Sequence, residues 1–213
     1  MMAQSREQSI RDDSNAYPKN EISLESNAHN ASNLQEVMPS QQCQSFSQQE
    51  SSILIVDMEG FTLRDEFFVK ELAFYNPCTM QCWVGTFKPP YDKKYMKSCY
   101  SKTMLQEAFE IHGLKWDDDG LYPYSMAFAM INRFATTHQL LAKGRRNCLW
   151  LQQYTDTILI DLEQYGCPPA SELPFGCFCQ FHNSTFKSCA LDKAVRMGRY
   201  YVNLFTMKPI LHA

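Results

Sequence analysis

The run Ile53-Leu54-Ile55-Val56 constrains this chain more than any other feature. Consecutive aliphatic residues leave no polar face, so they read as a central strand buried on both sides. The run also marks a boundary. Residues 1–52 are Ser, Gln, Asn and Glu with only Tyr17 and Phe46 as aromatics, a composition that cannot bury enough apolar area to offset ordering entropy. They are expected to form a disordered polar tail through which protein partners bind. The folded unit is expected over 53–207, with 208–213 as a short C-terminal tail.

Periodicity and turn residues divide the rest. Phe67 to Tyr75 reads as a second strand ended by Asn76-Pro77, and Met80 to Phe87 as a third ended by Pro89-Pro90, giving an antiparallel meander. Ser101 to His112 is expected to be a helix closed by Gly113, and Ser125 to Phe134 a second one, with Ser125 as its cap. A short strand over Gln139 to Lys143, a helix over Arg145 to Tyr154, a strand over Thr157 to Leu162 and a last helix over Ala190 to Phe205 follow. The order predicts an α/β fold: a mixed sheet, antiparallel meander plus parallel strands, with helices on both faces.

Composition bounds the function. With 20 Lys+Arg against 23 Asp+Glu the net charge is −3, so no global positive field draws the chain to nucleic acid and any such contact must be local. The first residues carry no apolar signal-peptide core, and no later run approaches the roughly 20 apolar residues that a bilayer requires. No membrane association is expected, and a cytoplasmic or nuclear address is. In a reducing compartment nine cysteines are metal ligands or small buried hydrophobes rather than a disulfide framework.

Asp57-Met58-Glu59-Gly60 follows the aliphatic run directly. Alternation puts Asp57 and Glu59 on one face at the strand end, the arrangement by which a two-metal nuclease holds Mg²⁺ or Mn²⁺ between carboxylates. Near the C-terminus, Cys179-Gln180-Phe181-His182 followed by Cys189 has metal-ligand spacing, since a tight turn brings two side chains to one ion and a loop returns the third. Tetrahedral zinc wants a fourth ligand, and Cys177, two residues before Cys179, is one candidate.

Ile-Leu-Ile-Val-Asp-Met-Glu-Gly-Phe, two further strands and the alternation after them resemble the ribonuclease H-like fold of the DEDD exonucleases, whose first motif is Asp-x-Glu on the first strand. That resemblance implies two more acids, and the chain departs from it at both. Asn147 or Cys148 stands where the second acidic motif places its aspartate. In the third motif Lys193 stands at the acid and Ser188 at the histidine. A lysine in such a pocket opposes divalent ions by like-charge repulsion, so the resemblance implies a degenerate nuclease and no enzyme, unless Asp161 or Asp192 supplies a displaced third acid.

Glu71 on the second strand, with Cys179, His182 and Cys189, further resembles the Glu-His-Cys-Cys zinc set of the Maelstrom domain, a ribonuclease H-like fold that has mostly lost its nuclease acids. The resemblance implies that these four residues bind one structural zinc, with Glu71 as the fourth ligand. Retention of Asp57 and Glu59 sets the chain apart from most animal Maelstrom domains.

Two basic clusters complete the candidates: Lys143, Arg145 and Arg146, and Lys88, Lys93, Lys94 and Lys97 among Tyr91, Tyr95 and Tyr100. Lysines interleaved with aromatics can neutralise phosphates and stack bases. The expected function is thus a zinc-stabilised, nucleic-acid-binding domain, with RNA preferred over DNA. An active metal-dependent nuclease and a protein scaffold are the competing readings.

Overall fold

The aliphatic run and the acids after it form one long strand. In the computed structural model, which describes residues 52–63, 66–96, 102–177, 179–181 and 188–206, strand β1 spans Ile53–Leu63. It pairs antiparallel with β2 (Glu66–Tyr75), which pairs antiparallel with β3 (Cys82–Thr86). On the other side β1 pairs parallel with β4 (Gln139–Ala142), and β4 with β5 (Ile160–Asp161). The order is β3-β2-β1-β4-β5, a five-stranded mixed sheet. Four helices, α1 (Lys102–His112), α2 (Tyr124–Ala135), α3 (Arg145–Gln152) and α4 (Ala190–Thr206), complete the fold. All described residues belong to one unit, Gln41–Ala213. Residues 1–51 of the tail expected over 1–52, and the end expected over 208–213, lie outside the described residues.

The sheet is covered on both faces, as the unbroken aliphatic run requires. Leu54, Val56 and Met58 point one way, with Leu72, Phe74 and Leu140, and pack under Ala127, Met130 and Ile131 of α2 and Trp150 and Leu151 of α3. Ile55 points the other way, with Ala73, Tyr75 and Leu141, and packs under Leu191, Ala194 and Val195 of α4. Further along that second side, Phe61, Leu63 and Phe68 meet Leu105 of α1 and Trp116. Each fully buried Leu, Ile, Val, Phe or Met among them contributes about 1.5–3 kcal/mol.

A bulge separates the two halves of that second side. Glu59 pairs with Glu71 and Gly60 with Val69, leaving Lys70 as the extra residue. Gly60 is required there because a Cβ would lie 2.0 Å from the Phe68 carbonyl oxygen. Lys70 is buried, and its Nζ donates to the Trp116 and Asp118 carbonyls at 3.2 and 2.7 Å, tying the 116–118 loop to β2. Burial lowers the Lys70 ammonium to about 8 against the opposing pull of Asp118.

Three local expectations are corrected. The acidic pair lies in the middle of β1 and not at its end, because the strand continues beyond the bulge to Leu63. The strand expected over 157–162 contracts to Ile160–Asp161. Side chains there compete for the backbone: Gln152 Nε2 donates to the Thr155 and Thr157 carbonyls, and Asp161 caps a 3-10 helix over Leu162–Tyr165. Helix α2 begins at Tyr124 behind Pro123, without a side-chain cap, so Ser125 lies inside the first turn.

Candidate metal centre and the acidic row beside it

Strand pairing assembles three carboxylates on the face that α4 covers. Asp57 is opposite Ala73, and Glu59 is opposite Glu71. Asp57, Glu59 and Glu71 are 2%, 9% and 0% exposed. Directly opposed like charges destabilise a strand pair, and desolvation adds to the cost. The residues that offset it come from the start of α4 and the residue preceding Cys189. Ser188 Oγ donates to Glu59 Oε1. The Ala190 N–H donates to Glu71 Oε2 at 2.9 Å. Lys193 Nζ lies 2.8 Å from Asp57 Oδ2 and 2.7 Å from Glu59 Oε1. The positive end of the α4 dipole points the same way.

The two residues that the resemblance sets at the positions of a lost histidine and a lost acid, Ser188 and Lys193, therefore both reach the acidic pair. Burial pushes the Asp57 carboxyl up to about 7, with Glu59 adding to the rise and Lys193 opposing it. Burial also lowers the Lys193 ammonium, but Asp57 and Glu59 outweigh it and hold the group above its ordinary value. Lys193 faces two carboxylates and keeps a quarter of its side chain in water. Asp57 faces one cation and two like charges, Glu59 and Glu71.

Neither displaced acid joins this pair. Ile160 packs with the α4 side of the sheet, so Asp161 faces the opposite side from Asp57. Its Oδ1 accepts the Gly144 and Glu163 N–H groups at 2.8 and 2.9 Å. Asp192 Oδ1 accepts the Gly176 and Cys177 N–H groups at 2.8 and 3.1 Å, and its Oδ2 accepts from Arg196 Nε at 2.6 Å. Asn147 donates to the Lys143 carbonyl, and the Cys148 thiol is pushed up to about 11 by burial.

One strand across from Glu59, the side chains of Glu71, Cys179 and Cys189 converge. Their ligating atoms all lie within 4.8 Å of one another, with Cys179 Sγ 3.4 Å from Glu71 Oε1. Cys189 Sγ also accepts the Asp192 N–H at 3.4 Å. Contact with Cys179, burial and Glu71 together hold the Cys189 thiol above its ordinary value. Cys177 lies outside this trio, and burial and Asp192 raise its thiol to about 11. Of the two candidates for the fourth ligand, Glu71 is the one beside the cysteines. His182 lies outside the described residues.

The donor set suits zinc in its chemistry. Zinc takes thiolate and carboxylate ligands, and a Zn–S bond of about 2.3 Å separates neighbouring ligand atoms by roughly 3.8 Å, a span the trio can adopt. The buried Cys189 thiol resists ionisation until a cation neutralises it.

The basic candidates separate into two kinds. Lys93 pairs with Asp117 at 3.3 Å and Lys94 with Asp92 at 2.7 Å, and these lysines line an open cleft with Lys88 and Asp119, a surface of mixed sign. Tyr91 packs its ring on Phe68 and Trp116 and so belongs to the core edge. Lys97 and Tyr100 are outside the described residues. Lys143 pairs with Glu163 at 3.4 Å. Arg145 and Arg146 are exposed on the first turn of α3, and Arg146 donates to Thr62 Oγ1 of β1 at 2.8 Å.

Sequence reasoning missed Lys70 and His112. His112, which in the sequence has no evident partner, is buried, with its Nε2 3.2 Å from the Gly60 carbonyl and its Nδ1 taking the Leu114 N–H at 3.1 Å. A charged residue inside the apolar stretch 67–75 was the available signal for Lys70. His112 has none, since its partners are backbone groups on distant segments. No protein family, no curated protein and no solved structure matches the chain.

Proposed function

We propose that this chain is a nucleic-acid-binding module, with RNA as its ligand, built on a ribonuclease H-like domain whose nuclease centre has decayed. A mixed sheet of meander and parallel strands, helices on both faces and an acidic pair on the central strand support that reading. The observation that carries the loss of catalysis is Lys193. Its ammonium lies within 2.8 Å of both Asp57 and Glu59, the place where a divalent ion would bridge two carboxylates. The third acid on that face, Glu71, groups with Cys179 and Cys189 rather than with the pair. Binding falls instead to Arg145 and Arg146, exposed on a helix N-terminal turn whose amides add to the positive field.

Zinc belongs to the same proposal. Glu71, Cys179 and Cys189, with His182 three residues after Cys179, would hold it, and the ion would supply no reaction chemistry. It would join β2 to the segments before α4 and neutralise the thiolates.

The test is incubation of the full chain with labelled single-stranded RNA and DNA, with and without Mg²⁺ or Mn²⁺. Binding without cleavage, preference for RNA, and a loss of tenfold or more in affinity in Arg145→Glu/Arg146→Glu are expected. Metal-dependent cleavage abolished by Asp57→Ala would establish the nuclease reading instead. Absence of both binding and cleavage would leave a protein scaffold.

A further inference from the structure

We propose that Asp192 is the positioning residue of the donor cluster: its carboxylate fixes the backbone that delivers Cys179 to Glu71 and Cys189, a role that rests on the metal reading above. Helix α4 presents a polar edge to the segment that leads into the cysteines. Asp192 Oδ1 takes the N–H groups of Gly176 and Cys177 at 2.8 and 3.1 Å. Arg196, held by Asp192 Oδ2, donates to the Ala170 and Leu173 carbonyls at 3.0 and 2.9 Å. Arg199 donates to the Phe175 carbonyl at 2.6 Å, and Tyr200 to the Tyr165 carbonyl at 2.9 Å. Residues 174–177 have no strand or helix of their own, so these bonds set their path.

Three observations single out Asp192 within that edge. It holds the Gly176 and Cys177 amides, and Cys179 follows Cys177 by two residues. Its own N–H donates to the sulfur of Cys189 at 3.4 Å, so one residue touches one thiol directly and aims the other through the backbone. Gly176 is shaped to it: a Cβ there would lie 2.5 Å from the Asp192 carbonyl oxygen and 2.8 Å from its Oδ1. A carboxylate accepting two backbone N–H groups and a guanidinium makes charge-assisted bonds, which are shorter and stronger than neutral ones. Outer partners of this kind typically govern metal affinity by 10–100-fold.

The experiment uses the full chain and the variants Asp192→Ala, Asp192→Asn and Gly176→Ala, each checked for folding by circular dichroism. Zinc affinity is measured by competition with a chromogenic chelator, and thiolate ligation from the absorption of the cobalt-substituted chain. Alkylation of Cys179 by iodoacetamide is followed by mass spectrometry after chelation, with exposed Cys78 as the internal reference.

Asp192→Ala and Gly176→Ala are expected to lose about 10–100-fold in zinc affinity. The cobalt band should lose one of its two cysteine contributions, and Cys179 should alkylate faster than in the parent while Cys78 is unchanged. Asp192→Asn keeps an oxygen for both amides and should remain nearer the parent. Parent-like affinity and alkylation in Asp192→Ala overturn the proposal, as does Asp192→Asn falling as far as Asp192→Ala, which would assign the effect to charge alone. A parent chain that takes up neither zinc nor cobalt sinks the metal reading separately. Alkylation then decides the positioning role, and an unchanged Cys179 rate in Asp192→Ala rejects it.

Discussion

Lys193→Met removes the one ammonium between Asp57 and Glu59 and keeps a long flexible side chain in its place. Breaking a buried ion pair by deleting one partner costs about 3–5 kcal/mol, because the remaining charge is stranded. Asp57 and Glu59 are 2% and 9% exposed, which places them in that class. The Lys193 side chain is 25% exposed, so solvent already screens part of the attraction. The lower end, about 3 kcal/mol, is therefore expected where both acids are ionised.

That loss depends on pH, and the sign follows from Asp57. Its carboxyl is raised from 3.8 to about 7 in the folded chain, so the folded state binds this proton more tightly than the unfolded state does. Through this group stability is highest below the unfolded value and falls as pH rises toward about 7. Removing Lys193 takes away an influence that lowers Asp57, so the variant carboxyl rises further and stays neutral over more of the range. Urea unfolding at about pH 8.5 should show the full loss, and at about pH 5.5 less than half of it, since Asp57 is protonated there in both chains. An equal loss at both values, or one below about 1 kcal/mol throughout, would mean that the three groups form a solvated surface pair and refute the reasoning.

Chelation should lower the circular dichroism melting temperature and added zinc restore it. An ion held at a thousandfold excess over its dissociation constant contributes about 4 kcal/mol, and an unchanged melt with no zinc by elemental analysis would reject the metal site. Gly60→Ala should destabilise by about 3 kcal/mol or more, because its Cβ would meet the Phe68 carbonyl at 2.0 Å; chemical denaturation giving less than about 1 kcal/mol would show that the bulge relaxes freely. Lys70→Met strands two carbonyls and should cost about 1–3 kcal/mol, with faster hydrogen exchange in the loop after Leu114; unchanged exchange there would contradict the tie. Lys70 is lowered to about 8 while the unfolded chain holds its proton to higher pH. Stability should thus rise through this group above about pH 8 in the parent, a rise absent from Lys70→Met.

The sequence by itself determined the layers of this protein. Ile53 to Val56 had no polar face to turn to water, and the aromatic and branched stretches ended by Asn76-Pro77 and Pro89-Pro90 could only be strands of a meander, so the mixed sheet and its covering helices followed from local chemistry. Side-chain alternation likewise put Asp57 and Glu59 on one face. The ladder register was beyond its reach. Whether Glu71 meets Glu59 depends on a bulge at Lys70, and one residue of slip would turn Glu71 to the other side of the sheet.

The tertiary structure alone decided what the acids and thiols do. Asp161 and Asp192 read as interchangeable carboxylates in a sequence, yet one caps a turn on the far face and the other binds the segment leading to Cys179. Apart from Arg196 on Asp192, their partners are backbone amides, which no sequence pattern marks. Glu71 joins cysteines more than a hundred positions away because its side chain points to the face of the sheet that the start of α4 covers. That adjacency belongs to the packing of the whole chain and to no segment of it.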